Sequence, residues 1–417
     1  MKLKLLALLL TATTLIPLAA GCAGCAGNEA TVTTAETTVA TTEAPEAEEP
    51  EIRTTEYAEP ALELMHKIIK DYWNARGQTL RAEPKSSNAP AVWAYTSFVE
   101  ALAEVYRLYP NDATVSKTYK AALEGLEDYA VTTSITTPSG RHKVTYYNAT
   151  KGGQGDFYYD DDAWICIQFL NAYELLKDPQ YLEKAEETLK FLWTGWDDKL
   201  GGGIYWDKDY GGKNTCANGP IAISFLWTYQ LTKNADYLEK GKMIYDWCRE
   251  KLLDGSLYID SLGINGGRNS WKAAYNQGVM IYAGAQLYEI TGDNTYLKQA
   301  RNTTNASVSL MFSGSGSSIR MNDNPIYKSW CIGWLTRGFL KFYSVDSKKS
   351  GTAMKMLEGV LTKTLKTKDK NGYYDPYFGN PNAWQSESRA DVLQPSGVCT
   401  VLALAAHYDL VIKVNKK

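Results

Sequence analysis

Three aspartates stand side by side at Asp160, Asp161 and Asp162, between the aromatic run Phe157-Tyr158-Tyr159 and an apolar stretch that opens with Ala163 and Trp164. Aspartate at a helix start can cap it, because the carboxylate accepts a hydrogen bond from a free backbone N–H and an acid in the first turn suits the helix dipole. One aspartate meets that need. Three adjacent ones offer more, since a pair of carboxylates can divide the work of glycoside hydrolysis, one attacking and the other delivering a proton.

Later stretches repeat the theme of polar and aromatic residues ahead of apolar runs. Trp206, Asp207, Lys213 and Asn214 lead to Asn218 and Gly219; "AAYNQG" supplies Tyr275, Asn276 and Gln277; Tyr327, Lys328 and Trp330 precede another run, and Gln394 follows "AWQSE". Carboxylates, amides and aromatics together suit a sugar: amides hold hydroxyl pairs and flat rings cover apolar C–H faces. Taken singly, Asn214 and Asn276 could be helix caps, and Tyr275, Trp206 and Trp330 could be core aromatics. Their shared position at helix starts is what favours a site.

The elements that would place them are helical. Apolar periodicity marks twelve amphipathic segments near 57–76, 91–109, 112–130, 160–177, 179–195, 217–232, 234–252, 272–291, 293–311, 327–345, 348–365 and 394–412. "DPQYLEKAEE", "NADYLEKGKM" and "GDNTYLKQAR" repeat one signature, with Tyr181, Tyr237 and Tyr296 at equivalent points one helical hairpin apart. Short turns alternate with long connections near 131–159, 196–216, 253–271, 312–326 and 366–393, which are rich in Gly, Asn and aromatics. The more continuously apolar helices follow the long connections. Six hairpins closed into a ring would make an all-α (α/α)6 barrel with every long connection on one face, where inner helices begin; an open helical solenoid is the alternative. "RHKVTYYNAT" alternates weakly and suggests a small β-hairpin in the first long connection.

The chain has 44 basic and 47 acidic residues and no basic run, which argues against nucleic acid as a partner. At the N-terminus, Lys2 and Lys4 precede an apolar stretch and "LAAGC" ends at Cys22, the pattern of a lipoprotein-type signal peptide over 1–21 with Cys22 as the lipidated residue. Residues 22–55, rich in Thr, Glu and Pro, read as a disordered linker, leaving 56–417 as one large domain. Together these place the domain outside the cell membrane on a lipid anchor. Cys166, Cys216, Cys248, Cys331 and Cys399 lie mostly in apolar helical text and are expected to be buried free thiols.

"YYDDDAW", "GGGIYWDKDYGGKNTCANGP" and "YNQG", in this order and spacing, resemble glycoside hydrolase family 76, which includes bacterial endo-α-1,6-mannanases and fungal relatives proposed to be cell-wall transglycosidases. The resemblance implies an (α/α)6 barrel and a retaining mechanism, with Asp160 as nucleophile and Asp161 as general acid/base; Asp162 falls on a variable position. After Trp164 this chain reads "ICIQF" where the family often has a second tryptophan, and "YKSWCIGWLTRGF" is only loosely like the family's Lys-containing helix. The electrostatics suit adjacent acids: a helix N-terminus favours one ionised carboxylate, whose charge keeps its neighbour protonated. Lys213, Asn214, Tyr275 and Asn276 are expected to hold sugar hydroxyls, with Trp206 and Tyr159 as stacking surfaces. No metal or organic cofactor is implied, and a monomer acting on α-mannan is expected. A surface glycan-binding lipoprotein without hydrolysis and an α-mannan transglycosidase are the competing readings.

Overall fold

The computed structural model describes residues 56–153, 156–322, 329–378 and 391–415, with side chains as far as His407. The expected signal peptide, Cys22 and the linker lie outside the described residues, as do Tyr327 and Lys328.

Among the described residues there are twelve α-helices: α1 Ala58–Tyr72, α2 Val92–Leu108, α3 Ala113–Glu124, α4 Tyr159–Leu176, α5 Pro179–Trp193, α6 Thr215–Thr232, α7 Ala235–Lys251, α8 Ala274–Thr291, α9 Asn294–Met311, α10 Ser329–Val345, α11 Ser347–Thr364 and α12 Leu393–Asn415. The even-numbered helices touch in succession from α2 to α12, and α12 returns to α2. That last contact closes the ring. An open solenoid would leave α2 and α12 apart, so the architecture is an (α/α)6 barrel.

Residue pattern explains which helices go inside. In α6 every residue from Thr215 to Leu226 is buried, so the helix has no face for water. By contrast α5 buries Tyr181, Ala185, Thr188, Leu189 and Leu192, a single stripe at helical spacing, and turns its other side outward. Phe169 of α4 and Phe191 of α5 are fully buried across this hairpin; truncating a ring of that kind to alanine costs about 3–5 kcal/mol.

The repeated signature is a turn. Lys177, Lys233 and Gly292 take left-handed φ values of 58°, 62° and 71° and end α4, α6 and α8. Asp178, Asn234 and Asp293 follow at once as N-caps, their side chains accepting from the N–H of Gln180 (3.1 Å), Asp236 (3.1 Å) and Thr295 (2.8 Å).

At the opposite end the long connections carry the strands. Ala130–Thr137 and Gly140–Tyr147 pair antiparallel, so the expected hairpin is present and runs further upstream than "RHKVTYYNAT". Gly212–Asn214, Ser261–Gly263 and Arg268–Asn269 form a three-stranded sheet that ties the connection before α6 to the one before α8.

Candidate active site

The inner helices open in a common register. The second residue of α2, α4, α6, α8 and α10 is Trp93, Asp160, Cys216, Tyr275 and Trp330 respectively. All five line one cleft of about 1060 Å³ at the strand-bearing end of the barrel. The aromatic members form a connected wall: Trp330 meets Trp93 edge-on at 5.3 Å, Trp164 edge-on at 4.9 Å and Tyr275 at 5.6 Å. Position two therefore faces the cleft.

Position four does the opposite work. Asp162, Asn218 and Gln277 are the fourth residues of α4, α6 and α8, all almost fully buried. Asn218 accepts from Ile204 N–H (2.7 Å) and donates to Ile204 C=O (2.7 Å), and Gln277 clasps Tyr258 in the same way at 2.8 Å on both sides. Asp162 accepts from Tyr147 N–H at 2.9 Å, while its second oxygen has no partner. A carboxylate there can satisfy the N–H but has no N–H₂ to offer in return. Burial pushes its carboxyl well above the usual aspartate range. Asp162 is thus a clasp between α4 and the hairpin.

Asp160 and Asp161 differ in what surrounds them. Asp160 receives the Trp206 indole N–H at 3.1 Å, the Asp161 backbone N–H at 3.1 Å and the Cys216 thiol. Burial raises its pKa, and these donors pull it part of the way back. Asp161 has no donor among the described residues; burial first, and then the charge of Asp160, hold it well above the ordinary value. The pair therefore separates into an acid that ionises first and one that keeps its proton. Burial and the nearby Asp160 also raise the Cys216 thiol, which stays a donor. All five cysteines of the barrel are buried and free, as expected.

Of the expected sugar contacts, Trp206, Asn214 and Tyr275 line the cleft with the two aspartates. Asn214 stands at the N-cap of α6 but makes no capping bond, which leaves its side chain to the cleft. Three expectations are corrected. Tyr159 is fully buried, stacked on Phe191 at 4.9 Å with its hydroxyl against Thr194, because the first residue of α4 points away from the cleft; Tyr158, beside Trp206 at 5.2 Å, takes the lining place. Lys213 is also fully buried. Its ammonium donates to Asp197 Oδ1 (2.5 Å) and to the C=O of Lys199 (2.9 Å) and Gly202 (2.8 Å), so it is spent on pinning the "GGGIYW" loop. That loop needs its glycines: Gly203 has φ +83°, and a Cβ there would lie 2.5 Å from the Trp247 ring. Asn276 is fully buried close to Asp260 and does not reach the cleft.

Asp260 is the residue the sequence reading missed. It lines the cleft at 9% exposure, accepts from Asn269 Nδ2 at 3.0 Å, and is raised by burial. Trp93 and Trp271 were missed as well. Trp93 could have been found from the second-residue register; Asp260 and Trp271 sit in a long connection with no local signal that sets them apart.

A model of Glycosyl hydrolase family 76 matches residues 57–373. The mannan endo-1,6-α-mannosidases of Candida glabrata and Saccharomyces cerevisiae are 26% and 25% identical over 193 residues, which is 42% of this chain. This chain spans 41% of the length of each. Among solved structures, a family 76 glycoside hydrolase from a bovine Bacteroides thetaiotaomicron strain superposes with a TM-score of 0.74 at 23% identity, covering 86% of this chain and 79% of that one. An inactive variant of the α-1,6-mannanase GH76A of Salegentibacter sp. HEL1_6, with two consecutive aspartates replaced by asparagine and α-1,6-mannotriose bound, gives 0.68 at 24%, covering 84% and 99%.

Proposed function

We propose that this chain, which belongs to glycosyl hydrolase family 76, cleaves α-1,6-mannosidic bonds within α-mannan with retention of configuration. The observation that carries the reading is the unequal solvation of the aspartate pair: Asp160 has three donors and Asp161 none among the described residues. A retaining glycosidase needs that inequality, one carboxylate ionised to attack and one acid protonated to assist departure. The family's endo-mannosidase relatives, and the bound mannotriose in a structure whose paired aspartates were removed, support the substrate class.

In the proposed cycle Asp160 attacks the anomeric carbon while Asp161 gives its proton to the departing O6 of the next mannosyl unit. A glycosyl-aspartate ester forms through an oxocarbenium-like transition state. Asp161, now a carboxylate, takes a proton from water as that water attacks the same carbon and releases Asp160. Trp93, Tyr275 and Trp330 cover the apolar faces of the sugar rings, and Asn214 and Asp260 accept or donate to hydroxyls. The cleft, at about 1060 Å³, has room for a sugar substrate, and the endo cut is proposed from the endo-mannosidase relatives.

The test is product analysis of residues 56–417 on linear α-1,6-mannan. A ladder of short mannooligosaccharides is expected, with the first product an α-anomer by NMR. Absence of cleavage alongside retained mannan binding would leave a glycan-binding protein. The anchoring of this domain at the cell surface through Cys22 is part of the same proposal. Replacement of Cys22 by alanine should release the protein from the membrane fraction, and continued membrane association of that variant would reject the anchor.

A further inference from the structure

The catalytic cleft is lined by Asp160, Asp161 and Asp260, with no basic side chain among the described lining residues. A second cleft of about 1130 Å³ adjoins it. Ala91 lines both, and Ala149 of the first is followed directly by Thr150 and Lys151 of the second. Next to Ala91, Val92 N–H donates to Ala149 C=O at 2.9 Å.

Its charge is reversed. The ionisable lining residues are Lys70, Asp71, Arg81, Lys85 and Lys151. Asp71 is already engaged by Lys67 at 2.8 Å and by the Tyr373 hydroxyl at 2.7 Å, and Lys151 pairs with Asp128 at 2.5 Å. Lys70, Arg81 and Lys85 make no ion pair among the described residues, although Lys70 helps to lower the pKa of Asp71, so cations outnumber acids on this wall in a chain whose net charge is −3. Lys85 is presented by a closed loop: Ala82 N–H bonds to Asn88 C=O at 2.9 Å, and Lys85 holds a left-handed φ of 67°.

We propose that this second cleft binds an anionic group, a phosphate ester or a carboxylate, carried on the same glycan whose neutral sugars lie across Asp160 and Asp161. The inference rests on the glycosidase reading and adds a substrate feature to it. An anion entering the catalytic cleft meets Asp160 and Asp260 with no lining cation to offset them, while past Ala91 it meets a wall where four cations stand against one acid. That difference sets the register of a charged glycan, keeping its substituent out of the catalytic cleft and its neutral linkages over the acid pair.

The test uses the Asp160→Asn/Asp161→Asn variant, so that binding is read without cleavage. Three probes are titrated calorimetrically: α-1,6-mannotetraose, the same tetraose with a phosphate monoester at its non-reducing end, and the same tetraose ending in a uronic acid. At low salt the phosphorylated probe should bind about tenfold more tightly than the neutral one, the sum of three modest exposed contacts. The advantage should vanish in about 1 M salt and when Lys70→Ala, Arg81→Gln and Lys85→Ala are combined. Gain by the phosphate probe alone assigns a phosphate site, and gain by both charged probes assigns a general anion site. Equal affinity of all three overturns the proposal. The two readings fail separately: hydrolysis of neutral mannan by the otherwise unaltered enzyme carrying the three basic-residue replacements should be unchanged, and loss of the glycosidase reading would show as no cleavage by the parent enzyme.

Discussion

Trp206 and Asp160 are joined twice across two hairpins of the barrel. The indole N–H of Trp206 donates to Asp160 Oδ2 at 3.1 Å, and the Trp206 C=O accepts from the N–H of Tyr159, the residue before Asp160, at 2.8 Å. The loop that enters α6 thereby holds the start of α4. A Trp206→Phe variant keeps the ring and loses the donor. The charged form of Asp160 is then disfavoured, its pKa rises, and the acid limb of kcat/KM on mannooligosaccharides should move up by about one pH unit. The alkaline limb, set by loss of the proton from Asp161, should stay within a few tenths. An unmoved acid limb would mean that Trp206 only stacks on substrate.

Asp160→Asn should abolish turnover, because it removes the proposed nucleophile. Asp161→Asn should lower the rate on mannan by about 10²–10⁴-fold, the worth of a general acid. With a mannosyl fluoride, whose leaving group needs no proton, the first step should survive in the Asp161 variant, and azide should restore turnover by intercepting the ester. Equal defects of both variants on the fluoride would contradict the division of roles.

Both limbs of the parent pH profile should lie above the range of free carboxyls, since burial raises both members of the pair. Rate should rise with pH as Asp160 ionises and fall as Asp161 loses its proton. The two limbs belong to the pair as a unit. An acid limb at or below pH 4, near an unperturbed aspartate, would show that solvent reaches the pair.

Asp162→Asn supplies the amide that α6 and α8 already use at the fourth position. Asp162 has a folded pKa raised above its unfolded value, so its contribution is fully present below the unfolded pKa and is lost as pH rises through the folded one. The asparagine variant should therefore unfold at a higher temperature than the parent at neutral pH, and the difference should shrink towards pH 4. Activity should fall by less than tenfold. A large loss of activity with unchanged stability would give Asp162 a direct part in the chemistry.

Beneath the aromatic wall, Arg337 donates to Glu100 Oε1 at 2.8 Å and Glu104 Oε1 at 3.0 Å, and Glu100 also accepts from the Trp330 indole at 3.1 Å. Glu104 also lies beside Arg107 and His407, and against the pull of burial Arg337 first and Arg107 next lower its pKa to about 2, whereas burial dominates at Glu100 and raises it. Arg337→Met leaves two buried acids without their cation and should cost about 3–5 kcal/mol. Glu104→Gln should be most destabilising at neutral pH. Its folded pKa is depressed, so the stability it contributes is present above the unfolded value and is lost as pH falls through the folded one, and the gap to the parent in thermal melts should close between about pH 4.5 and 2.

The barrel was legible because its helices alternate between continuously apolar and single-stripe patterns, and because Asp178, Asn234 and Asp293 mark the same turn three times. The aspartate pair was legible because adjacency itself is unusual. What could not be read was the direction of each side chain at a helix start. Tyr159 and Asp160 are neighbours, yet one is sealed against Phe191 and the other faces the cleft. Lys213 and Asn276 look like sugar ligands by type, and only the fold shows that Lys213 is held by backbone carbonyls and that Asn276 is fully buried. Asp260 depends on a sheet joining two connections far apart in the chain, a pairing with no local trace.

The common register of the inner helices has a consequence for how such a barrel can change its chemistry. In α4, α6 and α8 the second residue lines the cleft and the fourth, two places on, locks a loop or the hairpin. Exchange at a presenting position alters the floor and leaves the lock untouched, so the floor can be rewritten one helix at a time. A one-residue insertion ahead of α4 would do the reverse: it would bring Tyr159 to the second position, send Asp161 to the buried fourth and undo the site without removing a single functional group.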